Sequence, residues 1–245
     1  MGRLLVNNWL IKKWLIKKWL NCAWAVFRKD LQVELRTKYA VGAVLLFAVS
    51  TLAAVSAALS AATIKSEVNA ALLWIVLLFA ALSGLARVFV REEEAGTAPL
   101  LKLCAPATAV YAGKWLFNVT LVFAVQLVTV PLFLIVLPIG HSNDTVNFSV
   151  LSGVLLVGGI GLSGAATFVA ALISQASSGK SSLFFVVAFP VLLPLLLIAV
   201  QGTIGAFDSL PSHLAKSKVD VEMLAVYTVV MTTASFVLFE YIWND

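Results

Sequence analysis

The stretch "GKWLFNVTLVFAVQLVTVPLFLIVLPI", Gly113–Ile139, decides the class of fold to which this chain belongs. After Lys114 it contains no charged side chain. At 1.5 Å of rise per residue, it exceeds the roughly 20 apolar residues that a helix needs to cross a bilayer core about 30 Å thick. Because lipid offers no hydrogen-bonding partners, a spanning segment must satisfy its backbone within an α-helix. The stretch therefore predicts a transmembrane helix.

Further apolar runs of similar length extend this prediction to the whole chain. They are about Ala40–Ala62, Ala70–Val90, Phe148–Ile173, Leu183–Ile204 and Met223–Trp243. Hydrophobic residues make up 61% of the sequence and charged residues only 12%, against about 25% charged residues in soluble domains. A soluble fold could not cover so much apolar surface with so few charges. We therefore predict an all-α, polytopic membrane protein with six transmembrane helices.

The lysine and arginine residues predict the orientation of these helices. Nine basic residues precede the first span and five lie in the second and fourth loops, so that 14 of the 17 fall on one side. Only Lys65, Lys216 and Lys218 remain on the other. Both termini are therefore predicted to be cytoplasmic. On that reducing side, Cys22 and Cys104 are predicted to be ordinary thiols.

The N-terminal segment, residues 1–23, contains a five-residue repeat, "WLIKKWLIKKWL". A five-residue step turns a helix by about 500°, so Trp9, Trp14 and Trp19 share no face. The segment is either a basic and aromatic anchor on anionic lipid, or a lineage-specific repeat or misplaced start. Its lysines also interrupt any apolar run, so no cleavable signal peptide is predicted.

The following segment, "AWAVFRKDLQVELRTKYA", has a different pattern. Its large apolar residues fall within about 120° of arc at helical spacing. They are Trp24, Phe27, Leu31, Leu35 and Tyr39. This pattern predicts an amphipathic helix that lies in the cytoplasmic interface and leads into the first span.

The sequence predicts no catalytic residues. It contains no Ser-His-Asp arrangement, paired carboxylates or HExxH motif. "SSGKSS", Ser177–Ser182, resembles the end of a phosphate-binding loop, but Ser174 occupies the position that needs a glycine, and a membrane helix precedes it instead of a strand. No metal site is predicted either, because neither cysteine belongs to a Cys/His cluster. We therefore expect that this chain is not an enzyme.

Two histidines, His141 and His213, are predicted on the outer side. Each could ligate iron or titrate near neutrality, or could simply be a solvated loop residue. His213 falls in the last external loop, about Gly202–Glu222, which is long enough for a small re-entrant or interfacial helix.

Polar and small residues within the spans suggest contacts between helices. Gln126 is a candidate for an interhelical hydrogen bond. The fourth span pairs small residues four apart, which indicates close packing and could also form a sliding surface between subunits: Gly161 with Ala165, and Gly159 with Ser163. Pro190 and Pro194 should kink the fifth span, either as a static bend or as a hinge.

The most informative loop is "RVFVREEEAGTAPLLKLCAPATAVYAGKWL", Arg87–Leu116. Its first part, residues 87–106, is called the connector below. Thr97 can cap a helix and Pro99 fits the first turn of one, while Pro106 would end it. Leucines give this short helix an apolar surface, and three glutamates precede its start, where the helix dipole favours negative charge. A short helix with exposed leucines predicts a docking site for a soluble partner.

Three stretches together resemble the haem exporter protein B (CcmB) family of ABC-2-type permeases. They are "FRKDLQVELR", "LARVFVREEEAGTAPLLKL" and "SSGKSSLFFVVAFPVLLPLLLIAVQGT", and with the order of the spans they cover about residues 24–240. The resemblance implies a permease domain over residues 24–245, preceded by the repeat segment, in a bacterial inner membrane rather than a mitochondrial one.

The resemblance also implies partners and site residues. The permease would pair with a cytoplasmic ATPase subunit (CcmA-like), which carries the ATP, and with a haem-handling membrane subunit (CcmC-like), and would bind no nucleic acid. Haem would be a cargo rather than a cofactor bound by this chain. Coupling to the ATPase falls on Arg87, Phe89, Glu92, Glu93, Glu94, Gly96, Thr97, Leu100 and Leu101.

Other functions stay open at this point. The chain could be an ABC-2 permease for a lipid, glycan or drug, or a non-transporting scaffold of the cytochrome c maturation complex. Whether haem crosses or a haem-loaded chaperone is released is also open, although the lack of charges deep in the spans favours release, because haem propionates would need positive partners.

Overall fold

The computed structural model describes residues 2–59, 65–85, 89, 92, 95–137, 146–174, 180–208 and 211–244. Across these residues the chain forms eight α-helices and no β-strand, which confirms the all-α prediction. The helices are α1 (Gly2–Thr37), α2 (Tyr39–Leu59), α3 (Ser66–Leu85), α4 (Ala98–Cys104), α5 (Ala107–Val136), α6 (Phe148–Ser174), α7 (Lys180–Phe207) and α8 (Pro211–Asn244).

Within the described part of the chain, five helices are long and apolar enough to cross a membrane. They are α2, α5, α6, α7 and α8. The apolar part of α3, Ser66–Leu82, is shorter than the other five. The sixth span that the sequence predicts therefore stays a prediction.

Helix α6 lies at the centre of the bundle and packs against α5, α7 and α8. Its small residues permit this close approach, as the sequence indicates. Gly159 lies against Gln126 of α5, and Gly161 against Thr228 of α8 and Leu195 of α7. Ser163 and Ala165 are fully buried within the chain. This face is already occupied by the chain's own helices, so the suggested sliding surface between subunits is wrong.

Two spans begin earlier than their apolar runs predict. Helix α5 begins at Ala107 instead of Gly113, and α8 begins at Pro211 instead of Met223. Proline at the first helical position has a backbone angle already suited to a helix. The predicted external loop is correspondingly wrong in extent, because α7 continues to Phe207 and the segment after Pro211 is the first part of α8.

Helix α1 is continuous across residue 23, where the sequence suggested a change of segment. It packs mainly against α5. Val26, Phe27 and Glu34 of this helix are buried, whereas Trp24 and Leu35 are exposed on the protein surface. The face of α1 that packs against the protein is therefore rotated from the predicted apolar face. Apolar side chains such as Trp24 and Leu35 stay exposed on the rest of the helix. The interfacial position of this helix stays a prediction.

Candidate functional site

The connector contains the short helix that the sequence predicts. Helix α4 covers Ala98–Cys104 and has a proline in its first turn. Ala98 is buried and Leu101 packs against the core. These two contacts attach the helix to the body of the protein. Leu100 and Leu103 project outwards, with 63% and 86% of their surface exposed. The helix thus presents two leucines that this chain does not cover.

The turn before α4 depends on Gly96 and Thr97. Gly96 has φ +64°, a left-handed conformation that glycine adopts without the penalty of a Cβ atom. Thr97 stands at the N-cap position, but its side chain makes no capping bond. Its hydroxyl donates instead to Glu92 Oε2 at 2.6 Å. The predicted capping role is therefore wrong, because the Thr97 side-chain oxygen accepts no hydrogen bond from the backbone N–H groups of the first turn.

Glu92, one of the three glutamates that precede α4 in the sequence, is buried in a group of charges. This ion cluster consists of Lys29 and Asp30 on α1, Glu92 in the connector and Lys114 on α5. Lys114 Nζ lies 3.1 Å from Glu92 Oε1 and 3.3 Å from Asp30 Oδ2. Lys29 forms ion pairs with Asp30 and with Glu92. Two positive and two negative side chains thus join three separate segments.

The cluster sets the charge of its members. Burial alone would raise the pKa of Glu92, but attraction to Lys114, hydrogen bonds from Lys29 and Thr97, and attraction to Lys29 together lower the pKa to about 2. Burial alone would lower the pKa of Lys29, but its bonds with Glu92 and Asp30 raise that pKa above its ordinary value. Both side chains are therefore charged at neutral pH.

Aromatic side chains connect the connector to the end of α8. Phe89 is buried, with its ring centroid 5.5 Å from that of Phe239 and 6.1 Å from that of Trp243. Lys114 Nζ lies 5.1 Å from the centroid of the Phe89 ring, and Lys102 of α4 lies 5.4 Å from the centroid of the Trp243 ring. These are cation–π distances. The connector is therefore held by α1, α5 and α8.

Sequence reasoning missed three members of the ion cluster. The sequence places Lys114 among the basic residues at the edge of a span, yet its side chain is 0% exposed near the start of α5. Lys29 and Asp30 lie outside the apolar face that the sequence predicts for this helix. A signal was present, since a lysine followed at once by a long run without charged residues must find a carboxylate if it is buried. Of the other predicted coupling residues, Arg87, Glu93 and Glu94 lie outside the described residues.

The predicted hinge residues lie within one continuous helix. Pro190 and Pro194 are both inside α7 and both are exposed on its surface. Between them, the carbonyl oxygen of Val191 accepts a hydrogen bond from the Tyr227 hydroxyl of α8 at 2.5 Å. This bond ties the proline segment to the neighbouring helix.

Polar residues inside the bundle form interhelical bonds. Gln126 Nε2 donates to the carbonyl oxygen of Leu155 at 3.2 Å, which confirms the predicted contact. Asn118 Nδ2 donates to Thr167 Oγ1 at 2.7 Å, and this pair was not predicted. Both bonds join α5 to α6, so the helix that follows the connector is fixed to the centre of the bundle.

On the opposite side, His213 is a residue of α8 rather than of a loop. Its Nδ1 lies 2.8 Å from Asp208 Oδ2, and its side chain is 43% exposed. The carboxylate can orient the ring and leave Nε2 accessible. His141 lies outside the described residues, and no group of three or more potential metal ligands occurs among those that the structure describes.

Comparison with known families agrees with this architecture. No curated protein matches the chain. The family model described as CcmB protein matches residues 21–239, which leaves most of the N-terminal repeat outside the match and includes the ion cluster, α4 and the paired prolines. The chain therefore belongs to the CcmB family, whose members are membrane components of the haem exporter in cytochrome c maturation.

Proposed function

We propose that this chain is the permease subunit of an ABC-type complex and that a separate cytoplasmic ATPase docks on α4. The observation that carries the proposal is the exposure of Leu100 and Leu103 on a helix that is otherwise anchored. Two exposed leucines on a short helix outside the spans offer an apolar surface to which a soluble partner can bind. The ATP is bound by that partner, and this chain has no enzymatic activity of its own.

The anchoring of the connector supports a role in transmitting force. A displacement of α4 would act on Glu92 through the turn at Gly96. From Glu92 it would reach α1 and α5 through the ion cluster, because each lysine nitrogen of the cluster lies within 3.4 Å of a carboxylate oxygen. It would reach α8 through Phe89 and Trp243. Energy from the ATPase would then enter at the connector and move several helices together.

The complex would act in haem export or in the release of a haem-loaded chaperone, together with a haem-handling membrane subunit. Haem is a cargo in this proposal and not a resident cofactor. Lys114 is a buried positive charge, but Glu92 and Asp30 already neutralise it. It therefore offers no free partner for a haem propionate, which favours release over passage through the bundle.

The proposed topology places six spans in a bacterial inner membrane, with α3 as the second span and both termini in the cytoplasm. In this arrangement α1 and α4 lie on the side of the ATPase. His213 and Asp208 lie on the outer side in this topology. Among the residues that the structure describes, His213 is the histidine that a cargo could reach there.

Co-purification with the ATPase tests the docking proposal. The variant Leu100→Ser/Leu103→Ser should lose the ATPase and the cytochrome c yield, while Cys104→Ser, a matched change at an exposed position of the same helix, should keep both. An absorbance scan of the purified complex checks for haem. Unchanged co-purification of the double variant would exclude α4 as the docking site.

Two other functions make different predictions. A permease for a lipid, glycan or drug predicts normal c-type cytochromes and altered envelope lipids in a deletion strain. A non-transporting scaffold predicts that ATP-dependent haem release persists when Pro190 and Pro194 are both changed to alanine.

A further inference from the structure

A cavity of about 540 Å³ lies between α1 and the junction of α4 with α5. Its lining residues are Leu15, Ile16, Lys18, Trp19, Cys22 and Pro106. The volume falls within the range of about 300–1,000 Å³ that is typical of ligand sites. Four of these residues, Leu15, Lys18, Trp19 and Cys22, follow the spacing of one helical face. The repeat segment therefore presents a coherent face, although its five-residue period alone does not.

A hydrogen bond between α1 and α5 fixes one wall of the cavity. Trp19 Nε1 donates to Thr108 Oγ1 on α5 at 3.0 Å. The polar end of the indole is therefore satisfied, and its ring is held as an apolar wall. Leu15 and Ile16 are more than half exposed, so the cavity is open towards the surroundings of the protein.

The position of the cavity is that of a membrane surface. Pro106 immediately precedes Ala107–Val136 of α5, a segment that is long and apolar enough to cross a membrane. The cavity therefore lies where this helix enters the bilayer, at the boundary between headgroups and acyl chains. A molecule that fills it must suit apolar walls and a polar rim at the same time.

The charge at the rim is positive. Lys18 is the one charged residue among the lining residues, and its Nζ lies 5.4 Å from the centroid of the Trp14 ring. Residues 1–22 contain five lysine or arginine residues and no aspartate or glutamate. A negative headgroup in this position would be attracted by the whole segment, whereas a zwitterionic headgroup would gain much less.

We propose that this cavity binds one anionic phospholipid of the adjoining leaflet. An acyl chain lies between Leu15, Trp19 and Pro106, and the phosphate contacts Lys18. The lipid thereby completes the contact of α1 with the start of α5 and holds the N-terminal segment against the bundle. The proposal does not rest on ATPase docking, because Leu100 and Leu103 are not among the residues that line the cavity.

The two cysteines give a direct test in the full-length protein. Cys22 lines the cavity and is partly buried, whereas Cys104 is exposed on α4 and serves as an internal reference. Maleimide labelling of both thiols is followed by mass spectrometry in detergent, with phosphatidylglycerol or phosphatidylcholine added. Phosphatidylglycerol should slow labelling of Cys22 several-fold relative to Cys104, and phosphatidylcholine should slow it clearly less.

Two lysine variants locate the headgroup. Lys18→Gln should abolish the preference for phosphatidylglycerol, Lys18→Arg should keep it, and Lys17→Gln should also keep it, since Lys17 does not line the cavity. Both lysines are exposed, so none of these changes should unfold the protein. Equal protection by both lipids, or equal effects of the two glutamine variants, would overturn the proposal. Protection that requires another protein of the complex would also overturn it and would assign the cavity to a partner helix.

Discussion

Lys114 Nζ on α5 lies 3.1 Å from Glu92 Oε1 in the connector, and the Lys114 side chain is completely buried. This pair, extended by Lys29 and Asp30, joins a segment outside the spans to the interior of the bundle. A buried lysine must have a carboxylate partner, because an uncompensated charge in an apolar interior costs several kcal/mol. The position of the connector is therefore fixed by electrostatics as well as by packing.

Glu92→Gln should destabilise the protein, because it removes the negative charge that Lys29 and Lys114 share. Removing one member of a buried ion pair typically costs about 3–5 kcal/mol, and the 3.3 Å contact between Lys114 and Asp30 should keep the loss near 3 kcal/mol. The loss can be measured as a lower unfolding midpoint in detergent.

Two variants make this test specific. Glu67→Gln removes an exposed glutamate of α3 and should change stability by less than about 0.5 kcal/mol. Glu92→Met/Lys114→Met removes one charge of each sign and should recover much of the stability that Glu92→Gln loses. If the double variant were less stable than Glu92→Gln, the ion cluster could not be the source of the effect.

The ion pair of Glu92 with Lys114 also predicts that the stability of the protein depends on pH. The pKa of Glu92 falls from 4.5 to about 2 on folding, so its ionised form is favoured in the folded state. The resulting stabilisation is fully present above about pH 4.5 and is lost as the pH falls towards 2. The difference in stability between the wild type and Glu92→Gln should therefore shrink as the pH falls from 4.5 towards 2. A difference that stays constant across this range would contradict the assignment.

Gly96→Ala should destabilise the turn before α4 by about 1 kcal/mol, because φ +64° is unfavourable for any residue with a Cβ atom. The strain comes from the backbone alone, since no atom beyond the two neighbouring residues lies within 4 Å of the position that the new Cβ would take. Gly42→Ala in α2 is a matched control that also has free space. Because Gly42 is inside a helix, that change should instead stabilise the protein by about 0.5–1 kcal/mol. Thermal unfolding of both variants should give shifts of opposite sign.

The sequence predicted the features of this protein that depend on local pattern. The apolar runs predicted the membrane helices, and Pro99, Pro106 and the leucines predicted α4. The ion cluster could not be predicted in this way, because its members lie on α1, in the connector and on α5, and only the packing of these segments brings them together. The same holds for the buried face of α1, where Val26 packs against Gly113 of α5 while Trp24 stays exposed. Hydrophobic periodicity finds an apolar face but does not distinguish one that meets protein from one that meets lipid.

The hydrogen bond from Tyr227 to Val191 leads to a final prediction, which concerns the proline segment of α7. Tyr227→Phe removes only the hydroxyl that donates to the Val191 carbonyl oxygen. A side-chain bond between membrane helices contributes on average about 0.6 kcal/mol, so the loss of stability should be of that size. If α7 is a hinge that moves against α8, freeing this segment should also change the coupling between ATP hydrolysis and cytochrome c yield in the assembled complex.

Tyr241→Phe is the matched control, because Tyr241 is largely exposed on the same helix. A change in coupling with Tyr227→Phe, and none with Tyr241→Phe, would support a hinge. Identical coupling in both variants, together with the small loss of stability, would instead identify Pro190 and Pro194 as parts of a static bend.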